Sequence, residues 1–145
     1  MFKMRKSILV VDDDASLRMQ LSLHLSKRFQ YSVVTAKDGN EGLIKARAEA
    51  PSAILLDWMM PDLSGPHVLS LIRKDRNLRK TPVAMMTGRS CMGDIERALG
   101  LGCFAYFVKP LDLPDLGRKL SLELDARTGQ MGCLQRAIAG LGLAS

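Results

Sequence analysis

The sequence has few cysteines and no long apolar run. Its three cysteines, Cys91, Cys103 and Cys133, show no C-x-x-C spacing, so they indicate neither a disulfide framework nor a zinc site. No run approaches the roughly 20 apolar residues of a membrane-spanning helix. The basic stretch Met1–Lys6 is followed by only four apolar residues, too few for a secretory signal. These absences favour a protein without a membrane anchor that works in the reducing cytoplasm.

The length and charge of the chain narrow its class further. At 145 residues, with 47% hydrophobic and 25% charged residues, the chain has the size and composition of one globular domain. The net charge of +6 includes two basic clusters, at positions 3–6 and 73–80. Neither cluster contains aromatic residues, and the second lies at a predicted helix end, where cations are favourable. Direct binding to nucleic acid is therefore not expected.

Five short apolar runs alternate with five stretches of helical pattern. The runs predict strands at Ile8–Val11, Tyr31–Ala36, Ala53–Asp57, Val83–Met86 and Ala105–Val108. The helical stretches are Ala15–Ser26, with Asp14 as its cap, Asn40–Ala50, a helix starting at Pro66, Met92–Leu99 and Leu113–Leu124. Because each crossover contains one helix, the sheet should be parallel and the fold an α/β three-layer sandwich. The expected architecture is a flavodoxin-like (βα)5 fold with strand order 2-1-3-4-5.

Polar residues stand at the ends of four of these predicted strands. They are Asp12 and Asp13, Asp57, Thr87 and Lys109. In open α/β sheets, ligands bind in the crevice outside the carboxyl ends of the strands. Three crowded carboxylates are tolerated mainly around a hard cation, and Mg²⁺ suits such oxygen ligands. A hydroxyl and an ammonium opposite the metal could hold a phosphoryl group, with Asp57 as its nucleophilic acceptor.

Four motifs at these strand ends resemble one known family. They are Val-Val-Asp-Asp at 10–13, Leu-Leu-Asp-x-x-Met-Pro at 55–61, Thr87 after an apolar strand, and Tyr-x-x-Lys-Pro at 106–110. In this order and spacing, the chain is similar to the receiver domain of two-component response regulators, including stand-alone chemotaxis-type receivers. The resemblance implies a receiver domain over residues 1–124. Residues 125–145 would then be a tail or an additional helix, since Met131, Leu134, Ile138 and Leu141 recur at helical spacing. This segment could pack on the receiver, mediate dimerisation or begin a linker.

The resemblance also implies a phosphoacceptor site. Asp57 would accept a phosphoryl group from a phosphohistidine on a sensor histidine kinase or a histidine phosphotransfer protein. Asp13 and Asp57, with the backbone carbonyl of Met59, would bind Mg²⁺, and Asp12 would hold the ion through water. Such a protein is a phosphoacceptor that assists its own phosphorylation and dephosphorylation, and it is not an enzyme in the ordinary sense.

The same resemblance assigns a switch to the other strand ends. Lys109 would pair with the phosphoryl group, and Thr87 would move to hydrogen-bond it. Tyr106 would rotate inward, changing the surface formed by the fourth helix, fifth strand and fifth helix, which binds a downstream protein. In this family the Lys109–Pro110 bond would be cis. The physical content is a group bearing roughly two negative charges that biases a two-state packing element.

Three positions beside the site are candidate modulators. Met59 and Arg89 stand where the family's residues flank the phosphoryl group and govern the access of water. Gly88 replaces the usual alanine or serine after Thr87, which predicts a looser loop. None of these departures touches Asp12, Asp13, Asp57, Thr87 or Lys109.

Two other functions remain open from the sequence. One is a receiver-like scaffold that binds proteins without phosphorylation. The other is a phosphohydrolase with an Asp nucleophile, which would carry a second Asp two residues on, where this chain has Met59. Trp58 is expected to be a partly exposed packing residue, and His24 and His67 to be structural or surface residues.

Overall fold

The sheet contains five parallel strands in the order β2-β1-β3-β4-β5, as predicted. The structure is a computed structural model that describes residues 5–88 and 92–127. The strands are β1 (Ser7–Val11), β2 (Ser32–Ala36), β3 (Ala53–Asp57), β4 (Val83–Thr87) and β5 (Ala105–Val108). The helices are α1 (Ala15–Phe29), α2 (Gly39–Glu49), α3 (Gly65–Lys74), α4 (Met92–Gly100) and α5 (Leu113–Arg127). The flavodoxin-like α/β fold predicted from the sequence is confirmed.

Two apolar cores lie on the two faces of the sheet. Successive strand residues point to opposite faces, so Ile8 and Val10 join one core while Leu9 and Val11 join the other. The first core packs against Leu21 of α1 and Leu120 of α5, and the second against α2, α3 and α4. Strands β1, β3 and β4 carry apolar side chains in both directions because helices cover both faces. This three-layer arrangement leaves the carboxyl ends of the strands open at one edge.

Short polar side chains start the first three helices. The carboxylate of Asp14 accepts the backbone N–H groups of Ser16 and Leu17, which confirms it as the cap of α1. Ser64 caps α3. The helix therefore begins at Gly65, one residue before the predicted start at Pro66. Asp38 caps α2.

Two helices extend three residues beyond their predicted ends. Helix α1 continues to Phe29 and α5 continues to Arg127. Lys27 and Arg28 interrupt the apolar pattern of α1, but cations in a last helical turn are favourable. The ring of Phe29 then packs against α5 at Gly117, where an added Cβ would lie 2.3 Å from the ring. The longer α1 thus ends in a side chain that contacts α5. The additional helix predicted for the tail falls on positions 131–141, which lie outside the described part of the chain.

Trp58 is buried, with 4% of its surface exposed, so the prediction of partial exposure was wrong. The backbone N–H of Trp58 donates to the Met86 carbonyl at 2.8 Å, which continues the pairing of β3 with β4 beyond Asp57. Trp58 therefore shares a face of the sheet with Leu56, and both belong to the core under α2, α3 and α4. Its ring meets the ring of Tyr106 edge-on at 6.1 Å between centroids.

Gly65 brings the start of α3 against the end of β3. Its N–H donates to the Trp58 carbonyl at 2.7 Å. A Cβ at this position would lie 2.3 Å from the Asp57 carbonyl oxygen and 2.9 Å from the Trp58 Cα. Because both neighbours are backbone atoms, only glycine fits without moving the strand end that carries Asp57.

No helix in the described residues is both long and apolar enough to cross a membrane.

We predict that Gly65→Ala lowers the free energy of unfolding by about 2–3 kcal/mol, because the added methyl group overpacks the end of β3. Urea unfolding followed by circular dichroism measures this loss. Gly100→Ala is the matched control, since an added Cβ there meets nothing within 4 Å. It should change stability by less than about 0.5 kcal/mol. Equal stability of the two variants would contradict the prediction.

Candidate functional site

Three carboxylates meet at the carboxyl-terminal edge of the sheet. Asp12 and Asp13 follow β1, and Asp57 is the last residue of the neighbouring strand β3. Each offers an oxygen, and these oxygens lie within 4.8 Å of one another. Asp12 and Asp57 are buried, with 0% and 4% of their surfaces exposed, whereas Asp13 is exposed. The acidic pocket thus consists of two buried carboxylates and one carboxylate that is exposed to solvent.

Every polar atom of Asp12 takes part in a hydrogen bond. One carboxylate oxygen accepts the Asp14 N–H at 2.8 Å, and the other accepts the ammonium of Lys109 at 2.9 Å. Its backbone N–H donates to Ala36 at 3.1 Å, and its carbonyl accepts from Nη1 of Arg18 at 2.7 Å. Sequence reasoning assigned no role to Arg18. The available signal was an arginine one turn into the helix that follows the acidic residues.

Lys109 joins the fifth strand to the acidic pocket. Its Nζ lies 2.9 Å from Asp12 Oδ2 and 3.2 Å from Asp57 Oδ1. Burial acts to lower the pKa of Lys109, but the hydrogen bond to Asp12 and the charge of Asp57 raise it above its usual value. The ammonium therefore stays charged at neutral pH and offsets part of the repulsion between the two carboxylates. The Lys109–Pro110 bond is cis, as predicted.

The Asp57 carboxyl is a weaker acid than an ordinary aspartate. Burial is the largest cause, the charge of Asp12 adds to it, and Lys109 opposes both, so that the pKa rises to about 6. At pH 7 most molecules still carry the carboxylate. The pocket thus holds a buried anion that gains stability from any added positive charge.

The remaining predicted residues surround this pocket to different degrees. Thr87 ends β4 and is buried, and its carbonyl accepts the Lys109 N–H at 2.7 Å. Tyr106 is half-buried in β5 against Trp58. Met59 lies two residues beyond Asp57 with 63% of its surface exposed. Gly88 is also exposed, and Arg89 lies outside the described residues. The predicted roles of these residues stay predictions.

The donor set of this pocket fits a hard divalent cation. Three carboxylates against one ammonium leave a surplus of negative charge, and the raised pKa of Asp57 reflects this together with burial. Oxygen ligands are those that Mg²⁺ and Ca²⁺ prefer. The acidic triad can therefore hold a metal ion.

Comparison with known proteins gives one consistent result. Residues 8–121 match the sequence profile of the response regulator receiver domain. The probable transcriptional regulator ycf27 of Guillardia theta is 39% identical over 120 residues, which span 83% of this chain and 46% of that protein. The polar-differentiation response regulator DivK of Brucella ovis is 36% identical over 111 residues, 77% of this chain and 89% of that protein. This chain thus spans less than half of the first relative.

A solved structure supports the same grouping. The CheY-like response regulator receiver domain protein from Methanospirillum hungatei superposes with a TM-score of 0.79 at 30% identity. The match covers 88% of this chain and 100% of that one.

We predict that Asp57→Asn stabilises the metal-free protein at pH 7.5 by about 1–3 kcal/mol. The folded-state pKa of about 6 lies above the ordinary value of 3.8. The folded protein therefore binds more protons than the unfolded chain between these values, and stability is lost as the pH rises through about 6. The amide removes this loss, so the gain should shrink toward zero near pH 4.

Urea unfolding in EDTA at both pH values measures the difference. Asp115→Asn is the control, because its half-buried carboxylate pairs with Lys119 and should give no gain. A gain for Asp57→Asn that is the same at pH 4 and pH 7.5 would contradict the proposed cause.

Proposed function

Because the chain belongs to the response regulator receiver domain family, we propose that it is a phosphoacceptor switch whose acceptor is Asp57. The observation that carries this proposal is the burial of the Asp57 carboxylate at the end of β3, 3.2 Å from Lys109 and within reach of Asp12 and Asp13. A nucleophile in this position meets a donor only at the open edge of the sheet. Its neighbours carry the charges that a phosphoryl group needs around it.

The proposed reaction is transfer from a phosphohistidine to a carboxylate. An oxygen of Asp57 attacks phosphorus and forms an O–P bond, while the N–P bond to the donor imidazole breaks. The electron pair of that bond goes to the imidazole nitrogen, which then takes a proton from solvent. The Asp57 pKa of about 6 supports this role, because the carboxylate is ionised at pH 7 yet poorly solvated. Hydrolysis of the acyl phosphate returns the carboxylate and inorganic phosphate.

The proposed metal is Mg²⁺, held by the Asp13 and Asp57 carboxylates and the Met59 backbone carbonyl, with Asp12 acting through water. Bound Mg²⁺ would neutralise the charge that builds up on the phosphoryl oxygens. Asp12 suits an outer position because both of its carboxylate oxygens already accept hydrogen bonds. Asp13 suits an inner one because it is exposed at the mouth of the pocket.

The proposed output is a change in packing at β4 and β5. A phosphoryl group on Asp57 adds charge beside Lys109, whose own N–H is bonded to the Thr87 carbonyl. Movement of Thr87 toward the phosphoryl group would make room for Tyr106, which now contacts Trp58. The surface of α4, β5 and α5 would then differ between the two states, and a downstream protein could distinguish them.

The partners are proposed at the level of class. The donor is a sensor histidine kinase or histidine phosphotransfer protein, and the receptor of the signal is another protein. We propose a cytoplasmic location, in keeping with three cysteines that show no disulfide pattern in the sequence. We also propose that the receiver unit occupies residues 1–124 and that residues 125–145 form a tail, the first three residues of which continue α5 to Arg127.

The hydrolase alternative is not favoured by the site. Its second carboxylate would stand two residues after Asp57, and Met59 has no group that can donate a proton. A scaffold that needs no phosphorylation would gain nothing from a buried carboxylate whose charge is only partly balanced by Lys109. The first experiment below distinguishes such a scaffold from the proposed function.

We predict that acetyl phosphate and Mg²⁺ add one phosphoryl group, about 80 Da, to the intact protein. Acetate is the leaving group in this reaction. The adduct should require Mg²⁺ and be absent from Asp57→Asn, as measured by rapid intact-mass spectrometry. Beryllofluoride forms a hydrolysis-resistant complex with carboxylates. It therefore tests the acceptor even if the phosphoryl adduct hydrolyses too fast to be detected by mass. Failure of both reagents, with Mg²⁺ binding demonstrated, would favour the scaffold.

We predict that Mg²⁺ with beryllofluoride changes the fluorescence of Trp58, which is the single tryptophan of the chain. The change should be absent from Asp57→Asn, since it needs the acceptor. In Tyr106→Ala the beryllofluoride-dependent part should fall at least about twofold, because the ring that meets Trp58 is missing. An undiminished response of Tyr106→Ala would exclude this ring contact from the switch.

A further inference from the structure

The segment after β3 (residues 58–64, the β3–α3 loop) is fastened at two places. At its base, the Gly65 N–H donates to the Trp58 carbonyl at 2.7 Å. Near its end, the carboxylate of Asp62 reaches across to another element, the start of α2. Its two oxygens accept the N–H groups of Gly39 at 2.9 Å and Asn40 at 2.8 Å.

These contacts give α2 two separate caps. Asp38, the cap from its own chain segment, accepts the Glu41 N–H at 2.9 Å. Asp62 satisfies the two N–H groups that precede it, which have no partner inside the helix. Together the two side chains satisfy three N–H groups of the first turn. Only the Asp62 cap ties α2 to the loop that follows the phosphoacceptor.

Packing and charge both support this tie. An added Cβ on Gly39 would lie 2.8 Å from the Leu63 Cβ, so the loop lies directly against the start of α2. Burial acts to raise the pKa of Asp62, but hydrogen bonds from the Asn40 and Gly39 N–H groups lower it below its usual value. The carboxylate is therefore an anion at a helix N-terminus, where charge and hydrogen bonds act in the same direction.

Met59 lies inside the fastened segment. It follows Trp58 directly, and only Met60 and Pro61 separate it from Asp62. Pro61 fixes its own φ and restricts Met60, so few rotations remain between the two fastened points. The direction of the Met59 carbonyl thus depends on where Asp62 is held.

We propose that Asp62 is a positioning residue for the Mg²⁺ and phosphoryl site, acting through the β3–α3 loop on the carbonyl of Met59. The inference rests on the proposed function, in which that carbonyl is a metal ligand. In this proposal Asp62 is not itself a ligand of the metal or of the phosphoryl group. Its role is to hold a ligand in place, as partners outside the coordination sphere do in other metal sites.

Mg²⁺ titration of the full chain, followed by Trp58 fluorescence, tests this inference. Asp62→Ala should weaken Mg²⁺ binding about tenfold, in the range found for residues that orient metal ligands. Asp62→Asn should weaken it less, about threefold, because the amide keeps one acceptor oxygen. Asp38→Ala is the matched control, since it removes the other cap of the same helix. It should lower the urea midpoint like Asp62→Ala but leave the Mg²⁺ affinity within about twofold of the wild type.

Each other outcome overturns the inference in a distinct way. Unchanged affinity in Asp62→Ala would show that the tie does not reach the metal ligand. Equal weakening in the Ala and Asn variants that disappears in high salt would assign the effect to charge alone. Equal weakening in Asp38→Ala would assign it to the stability of α2. No Mg²⁺ binding by the wild type would overturn the proposed function itself and this inference with it.

Discussion

The ammonium of Lys109 lies between two buried carboxylates, and the arrangement of the site depends on this contact. It lies 2.9 Å from Asp12 and 3.2 Å from Asp57, which lie at the ends of neighbouring strands and would otherwise repel each other. Burying two charges is costly, and a single cation only partly offsets the cost. Burial, followed by the charge of Asp12, raises the pKa of Asp57 in spite of Lys109. A site balanced in this way responds strongly to a further change of charge, which suits a switch.

The cost of the site falls on the stability of the protein. A buried acid with a pKa of about 6 loses folding free energy as it ionises, and an apolar or amide residue in its place would not. The surrounding structure offsets this loss with two continuous cores on either side of β1, β3 and β4. Proteins commonly accept such local losses where a function needs them. The fold thus supports a buried acid whose charge is only partly balanced.

Contacts at the end of β3 connect Asp57 to β4, β5 and α3. Trp58 continues the β3–β4 ladder beyond Asp57 and meets the ring of Tyr106. Gly65 allows α3 to start against the same strand end. Asp57 and the β3–α3 loop are therefore consecutive in the chain, and Trp58 brings them into contact with Tyr106 of β5. A change at Asp57 has a direct physical route to β5, which is what the proposed output requires.

The sequence by itself determined the strand order, the two faces of the sheet and the set of polar residues at the strand ends. This was possible because apolar periodicity and short crossovers specify a parallel sheet, and parallel strands bring their carboxyl ends to one edge. Asp12, Asp13, Asp57 and Lys109 could be placed together for that reason alone.

Other features were decided only by the tertiary structure. They are the burial of Trp58, the ends of α1 and α5, and the contacts of Arg18 and Asp62. Each depends on which residues are close in space after folding, and no local sequence pattern encodes that. The raised pKa of Asp57 belongs with them, because desolvation and the distance between charges exist only after the chain has folded.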